Sequence, residues 1–196
     1  EIGCGMGGDA AEFARRGADY VGIDISERTV DLARQRFAVE QLPGQFICGD
    51  ASDSQLYQDL GKFDLVYSCG VLHHYPNINE MISNAYNALA DQGEFRFMVY
   101  AKNSWKYAMI QAGLDQFEAQ AGCPFAETYS QQDIYNLLVG KFTITNITQA
   151  HCFMYNVEAY KQGRYELEPW FAAMSDDMRQ AVHDHLGWHL LVKSKK

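Results

Sequence analysis

The residues best suited to chemistry open the chain, in Glu1-Ile2-Gly3-Cys4-Gly5-Met6-Gly7-Gly8-Asp9. A glycine-rich turn of this kind joins a strand to a helix and lets the backbone press against a ligand, since no Cβ intervenes. Asp24 follows at the end of the apolar run Tyr20-Val21-Gly22-Ile23. That is about 20 residues on, where a nucleotide-binding βαβ unit positions an acid for ribose hydroxyls. The glycines parse in two ways. Gly3, Gly5 and Gly8 make G-x-G-x-x-G, the dinucleotide pattern, whereas Glu1, Gly3, Gly5 and Gly7 make E-x-G-x-G-x-G.

Two adjacent histidines, His73 and His74, form the sharpest catalytic pair. Neighbouring residues project in different directions, so one is expected to face a ligand and the other the protein. The near-neutral pKa of imidazole suits a general base. The competing reading makes both structural, bonded to backbone around Tyr75-Pro76. His183-Asp184-His185 with His189 resembles a metal cluster only on paper, because positions i and i+2 of a helix point apart and His189 falls in another element. No metal site is expected.

The elements that must position these residues alternate strictly. Asp9 to Arg16 reads as a helix stopped by Gly17, and Tyr20 to Ile25 as a strand. Ser26 caps a helix through about Val39 whose Val30, Ala33 and Phe37 share one face. Gln45 to Cys48 is a strand, Gln55 to Leu60 a short helix, Phe63 to Ser68 a buried strand, Ile78 to Ala90 an amphipathic helix, and Glu94 to Tyr100 a fifth strand. Such alternation predicts parallel strands with right-handed crossovers. Helices are expected over Trp105–Ala121 and Ser130–Val139 and a helix-rich stretch from about Pro169 to His185, with strands at Phe142–Thr148 and Trp188–Lys193. The expectation is one domain over 1–196. Residues 1–101 form a ligand-binding core, 102–140 a helical lid and 141–196 the closing strands and helix.

With 196 residues, 47% hydrophobic and 21% charged, the chain has the composition of one ordinary α/β domain. A net charge of -9 disfavours a nucleic-acid partner. No apolar run approaches the roughly 20 residues of a membrane span. Five scattered cysteines without a C-x-x-C pair suggest neither a disulfide framework nor a zinc site, so a reducing cytoplasm is expected. The sequence starts without methionine and without the strand that should lead into the glycine turn, so missing upstream residues are expected.

The E-x-G-x-G-x-G parse resembles motif I of the class I S-adenosylmethionine (SAM) dependent methyltransferases. Four further stretches resemble that family too: Val21-Gly22-Ile23-Asp24-Ile25-Ser26, Cys48-Gly49-Asp50-Ala51, Phe63 to Ser68 with Gly70-Val71-Leu72-His73-His74, and Leu89-Ala90-Asp91-Gln92-Gly93-Glu94. In the last of these Gln92 replaces a glycine often found there. The resemblance covers about the first hundred residues, and beyond them Gly187 to Val192 would suit the family's final antiparallel strand.

The resemblance implies a Rossmann-like, doubly wound, mostly parallel seven-stranded sheet. It adds an antiparallel C-terminal strand and a helical insertion after strand five. It implies SAM as cofactor and S-adenosylhomocysteine (SAH) as product. Glu1 would hold the ammonium end, and Gly3, Cys4, Gly5 and Gly7 would approach by backbone. Asp24 would take the ribose hydroxyls, Ile25 would pack on the adenine, Asp50 and Ala51 would read the adenine edge, and Cys69 would touch the cofactor by backbone. His73 or His74 would be the base, and Tyr100, Trp105, Tyr107 and Tyr129 would line the acceptor pocket or belong simply to the core. The implied partner is a small-molecule methyl acceptor for a monomer or homodimer. Between Glu1 and Gly8 there is no Lys or Arg, which fits a ligand with a sulfonium and a zwitterion but no phosphate. A catalytically inactive SAM-binding module and an NAD-dependent oxidoreductase are the competing readings. The latter would also need a second mononucleotide half and a hydride site, for which the sequence has no candidate.

Overall fold

A computed structural model describes residues 1–114, 125–152 and 154–196. In chain order the elements are α1 (Gly8–Arg15), β1 (Val21–Asp24), α2 (Glu27–Glu40), β2 (Gln45–Cys48), β3 (Phe63–Cys69), α3 (Ile78–Ala88), β4 (Leu89–Tyr100), α4 (Trp105–Gln111), α5 (Gln131–Leu138), β5 (Thr143–Ala150), α6 (Val157–Lys161), α7 (Pro169–Ala172), α8 (Asp176–Leu186) and β6 (His189–Lys195). Short 3-10 turns cover Ser54–Tyr57 and Leu72–His74.

The strands form a parallel pair, β1-β2, and a four-stranded sheet in the order β3-β4-β6-β5. Within the latter, β3 and β4 run parallel while β6 is antiparallel to both β4 and β5. The antiparallel last strand therefore agrees with expectation. The count does not: six strands are seen among the described residues, as two plus four, where seven in one sheet were expected. The residues before the glycine turn supply only a single bridge. Ile2 pairs with Ile23, donates its amide to the Tyr67 carbonyl at 2.8 Å, and accepts from Ser68 Oγ at 3.0 Å. Glu1 to Gly3 thus tie β1 to β3 at one level. On the far side of that tie the strands part around a groove of about 640 Å³, lined by Tyr20 and Val21 opposite Phe63 and Leu65.

Local chemistry explains the boundaries. Ser26 caps α2 by accepting from the Thr29 amide, and Val30, Ala33 and Phe37 are its buried face. In α5, Ser130 and Asp133 form a reciprocal capping box. Gln92, at the position where a glycine was anticipated, has φ 66°, a left-handed conformation that only glycine adopts without strain. The helix expected to Ala121 is seen as Trp105–Gln111, and residues 115–121 lie outside the described ones. The helix-rich stretch expected from about Pro169 to His185 holds two helices, with Ser175 capping the second. α6 had no sequence expectation.

The main core is built where β3, β4 and β6 meet α3 and α5, around Val66, Ile82, Phe95, Val99, Ile134 and Leu190. A second core, Cys4, Ala10, Tyr20, Val30, Ala33, Phe37 and Phe46, packs α1 and α2 against β1-β2. Cys4 anchors the glycine turn to this core.

Candidate functional site

At the C-terminal ends of β1, β2 and β3 lies a cavity of about 300 Å³. Parallel strands deliver their loops to this edge, which is where ligands bind in such sheets. Asp24 is the last residue of β1, Asp50 and Ala51 follow β2, and Gly70 and Val71 follow β3. The turn Leu72–His74 then carries His74 to the rim, with Tyr75 and Met81 completing the wall.

Of the residues singled out from sequence, the cavity brings together Gly3, Asp24, Ile25, Asp50, Ala51 and His74. Glu1, Cys4, Gly5, Gly7, Cys69 and His73 do not line it, nor do Tyr100, Trp105, Tyr107 and Tyr129. Glu1 points elsewhere: its carboxylate accepts from the Tyr20 hydroxyl, and burial pushes its pKa up to about 6. Cys4 is a packing residue. Its thiol fills the space that a side chain at Gly22 would need, and burial pushes it up to about 12. Gly3 is required twice over: its φ is +75°, and a Cβ there would stand 2.1 Å from Val71 Cγ2. Cys69 is exposed at the end of β3. Cys123 lies outside the described residues.

Asp24 is held by three donors. The Gly5 amide reaches Oδ2 at 2.8 Å, and the Ser26 amide (3.0 Å) and Thr29 hydroxyl (2.9 Å) reach Oδ1. A carboxylate offers about four lone-pair sites, so the strict count leaves one for a ligand. Gly5 therefore acts by fixing the acid. Ile25, beside it, is 73% exposed at the rim, an apolar surface open to a flat ligand.

Asp50 uses Oδ1 for the Ser52 amide (2.9 Å) and hydroxyl (2.8 Å), while its Oδ2 makes no hydrogen bond among the described residues. The Tyr75 hydroxyl donates to Ser52 Oγ at 2.6 Å, joining the two loops across the cavity. From α3, the buried Asn84 donates to the Ala51 and Ser52 carbonyls at 3.1 and 2.7 Å. Ser52, Tyr75, Met81 and Asn84 were not singled out from sequence. An asparagine on an otherwise apolar helix face, between Met81, Ile82 and Ala85, was the one available signal.

The histidine pair divides. His73 is fully buried, its ring centroid 3.7 Å from that of Tyr100. Burial, with His74 and His189 nearby, lowers its pKa to about 3, so it is neutral. His74 lines the cavity, and its Nδ1 lies 2.9 Å from the Phe125 carbonyl. A carbonyl only accepts, so Nδ1 carries a proton. The segment after Phe125 covers the other histidine: the Glu127 amide donates to the His73 carbonyl and Tyr129 bridges to Ala101. Tyr129 is buried there, and Tyr100 stacks on Trp188. Trp105 lines a different cavity, and Tyr107 lines neither. No group of three or more metal-ligating side chains occurs among the described residues, and His183 instead accepts from the Cys152 amide. No described helix is long and apolar enough to cross a membrane.

Residues 1–93 match the family described as "Methyltransferase domain". A ubiquinone biosynthesis O-methyltransferase of Coxiella burnetii is 28% identical over 115 residues, 59% of this chain and 48% of that protein. A magnesium-protoporphyrin O-methyltransferase of Rhodobacter capsulatus is 39% identical over 87 residues, 42% of this chain and 37% of that protein. The chain thus spans about half the length, or less, of the curated relatives it matches. The solved magnesium protoporphyrin IX methyltransferase of Synechocystis PCC 6803, with bound SAH, has a TM-score of 0.66 at 21% identity. It covers 100% of this chain and 72% of that one, a likeness of fold. Through residues 1–93, just under half of the chain, and the motifs they contain, the protein is similar to the class I SAM-dependent methyltransferases.

Proposed function

We propose that this protein transfers a methyl group from SAM to an oxygen of a small-molecule acceptor. The observation that carries the reading is the cavity itself: two carboxylates, Asp24 and Asp50, Gly3 of the glycine turn and one histidine, with neither Lys nor Arg among its lining residues. Such a donor set suits a cationic ligand with a sugar diol and no phosphate, and it does not suit NAD. The oxygen acceptor is taken from the named relatives, which are O-methyltransferases.

When bound, the cofactor supplies an activated methyl on a sulfonium. Asp24 would accept a ribose hydroxyl at its remaining lone-pair site, Asp50 Oδ2 would accept from the adenine amino group, and Ile25 would cover the ring. Val71, pressed on Gly3, sets the floor. His74 Nε2 accepts the proton that the acceptor oxygen loses, while the Phe125 carbonyl holds the ring in the required tautomer. His73 supports the turn that presents His74, and most of the rate comes from alignment of the two reactants.

Titration with SAH, NAD in parallel, tests the cofactor: micromolar binding of SAH alone is expected, and binding of NAD alone would overturn the reading. Once an acceptor is in hand, His74→Ala lowers turnover about 10²–10⁴-fold with SAH affinity nearly intact. Wild-type turnover in that variant would remove His74 from its role.

A further inference from the structure

Apart from the cofactor cavity, a second one of about 270 Å³ opens between α4 and the chain that follows β5. It is lined by Trp105, Met109, Met154, Tyr155, Glu168 and Trp170 among others. Two tryptophans meet there, ring centroids 5.6 Å apart and planes at 35°, yet they stay 39% and 44% exposed, whereas Trp188 is 1% exposed. Indole surface left open in a concavity is apolar, cation-attracting area available to a ligand. Glu168 is the cavity's charged lining residue. Among the described residues its carboxylate accepts from Asn156 Nδ2 at 3.2 Å and forms no ion pair.

We infer that the Trp105–Trp170–Glu168 cavity is a second subsite, which takes a flat aromatic group bearing positive charge at the distal end of the methyl acceptor. The inference rests on the methyl-transfer reading for the word "acceptor" and on the cavity's chemistry for the rest. Indole faces attract cations, and a carboxylate beside them adds to that attraction. An anion would meet Glu168 and a chain of net charge -9. A neutral hydrocarbon would cover Glu168 and leave its charge without solvent or counterion. The two methionines give an adaptable apolar surface.

Topology places this cavity over the same sheet edge as the cofactor cavity. Tyr100, His189 and Ala150 stand in register at the ends of β4, β6 and β5. The chain leaving Tyr100 reaches Trp105, and that leaving Ala150 reaches Met154 and Tyr155. From β3, beside His74, to β5 there are three strand steps, or about 14 Å at the usual spacing. An acceptor whose reacting oxygen lies at His74 therefore has to be elongated. At that edge the Tyr100 ring stacks on Trp188 and meets His73 at a 38° tilt.

The test uses the three indole N–H signals of ¹⁵N-labelled protein, since the chain has 3 tryptophans. They are read during titration with phenyltrimethylammonium, with its neutral isostere tert-butylbenzene, and with benzenesulfonate. Phenyltrimethylammonium is expected to shift Trp105 and Trp170 but not Trp188, and to bind about tenfold more weakly to Glu168→Gln. An unchanged Trp188 signal shows that this variant is folded. Equal binding of tert-butylbenzene, indifference to Glu168→Gln, or no shift at Trp105 and Trp170 would overturn the subsite. SAH is titrated into the same samples. SAH binding without probe binding refutes the subsite and leaves methyl transfer standing. Probe binding without SAH binding refutes methyl transfer, and with it the subsite's role in holding an acceptor.

Discussion

Asp24→Asn probes whether the acid at the end of β1 is shaped as the hydrogen bonds say. An asparagine keeps one oxygen, and the two donors at Oδ1, the Ser26 amide and the Thr29 hydroxyl, hold it there. The new NH₂ group then faces the Gly5 amide, which now donates to Oδ2 at 2.8 Å. Two donors in opposition leave the Gly5 N–H unsatisfied at about 1–3 kcal/mol. About 2 kcal/mol corresponds to a Tm loss of roughly 4–8 °C for a chain of this size. The cofactor also loses a hydrogen bond to a charged acceptor, worth about 1.5–3 kcal/mol. Together with a displaced glycine turn the affinity for SAH should fall by about 3 kcal/mol, or about 150-fold in Kd. Thr29→Val is the control: it removes one donor from Oδ1, leaves Gly5 alone, and should weaken SAH by no more than about threefold while costing about 1 kcal/mol of stability. Calorimetric titration with SAH and thermal unfolding by circular dichroism read both quantities. Binding by Asp24→Asn within about threefold of wild type would show that neither the Gly5 bond nor the ribose bond matters, and the assignment of Asp24 would fail.

Gly3→Ala forces a side chain onto a backbone at φ +75° and into Val71 Cγ2 at 2.1 Å, so a loss of about 2–5 kcal/mol is expected from conformation and overpacking combined. Adding Val71→Ala should restore only the overpacking share, and full rescue would refute the conformational share. Trp188→Ala, removing a side chain that is 1% exposed and stacked on Tyr100 at 4.4 Å, should cost about 3–5 kcal/mol; a denaturation midpoint near wild type would contradict that packing. Burial lowers His73 and His189 from 6.5 to about 3 and about 4. Depressed histidines contribute stability that is complete above pH 6.5 and is lost as pH falls toward those folded values. In a Glu1→Gln background, which removes the opposing titration of the raised Glu1 carboxyl, two of them make a slope of about 2.7 kcal/mol per pH unit between roughly pH 6 and 4. Urea unfolding across that range should show the slope and His189→Gln should halve it, whereas a flat profile would mean that both rings are solvated.

The glycine turn, Asp24, Asp50 and the alternation of strands and helices were legible in the chain because each depends on local chemistry. Backbone freedom, caps and hydrophobic period act over a few residues, and β2 at Gln45–Cys48 and the Ser26 cap fall where those signals put them. The left-handed residue early in β4 was marked too, though by Gln92 in place of glycine. Other outcomes needed the tertiary structure. Which histidine faces the cavity is settled by where the 125–129 segment lands, since Phe125 takes Nδ1 of His74 while Glu127 binds the His73 carbonyl. Glu1 turns to Tyr20, and Cys4 fills the notch over Gly22, because both positions abut a core assembled from α1, α2 and β1. Trp105 and Trp170 lie 65 positions apart in the numbering and meet only because β4 and β5 end at the same edge of one sheet. Periodicity reports what one segment buries. Contacts between segments are set by strand order and register, which no local pattern encodes.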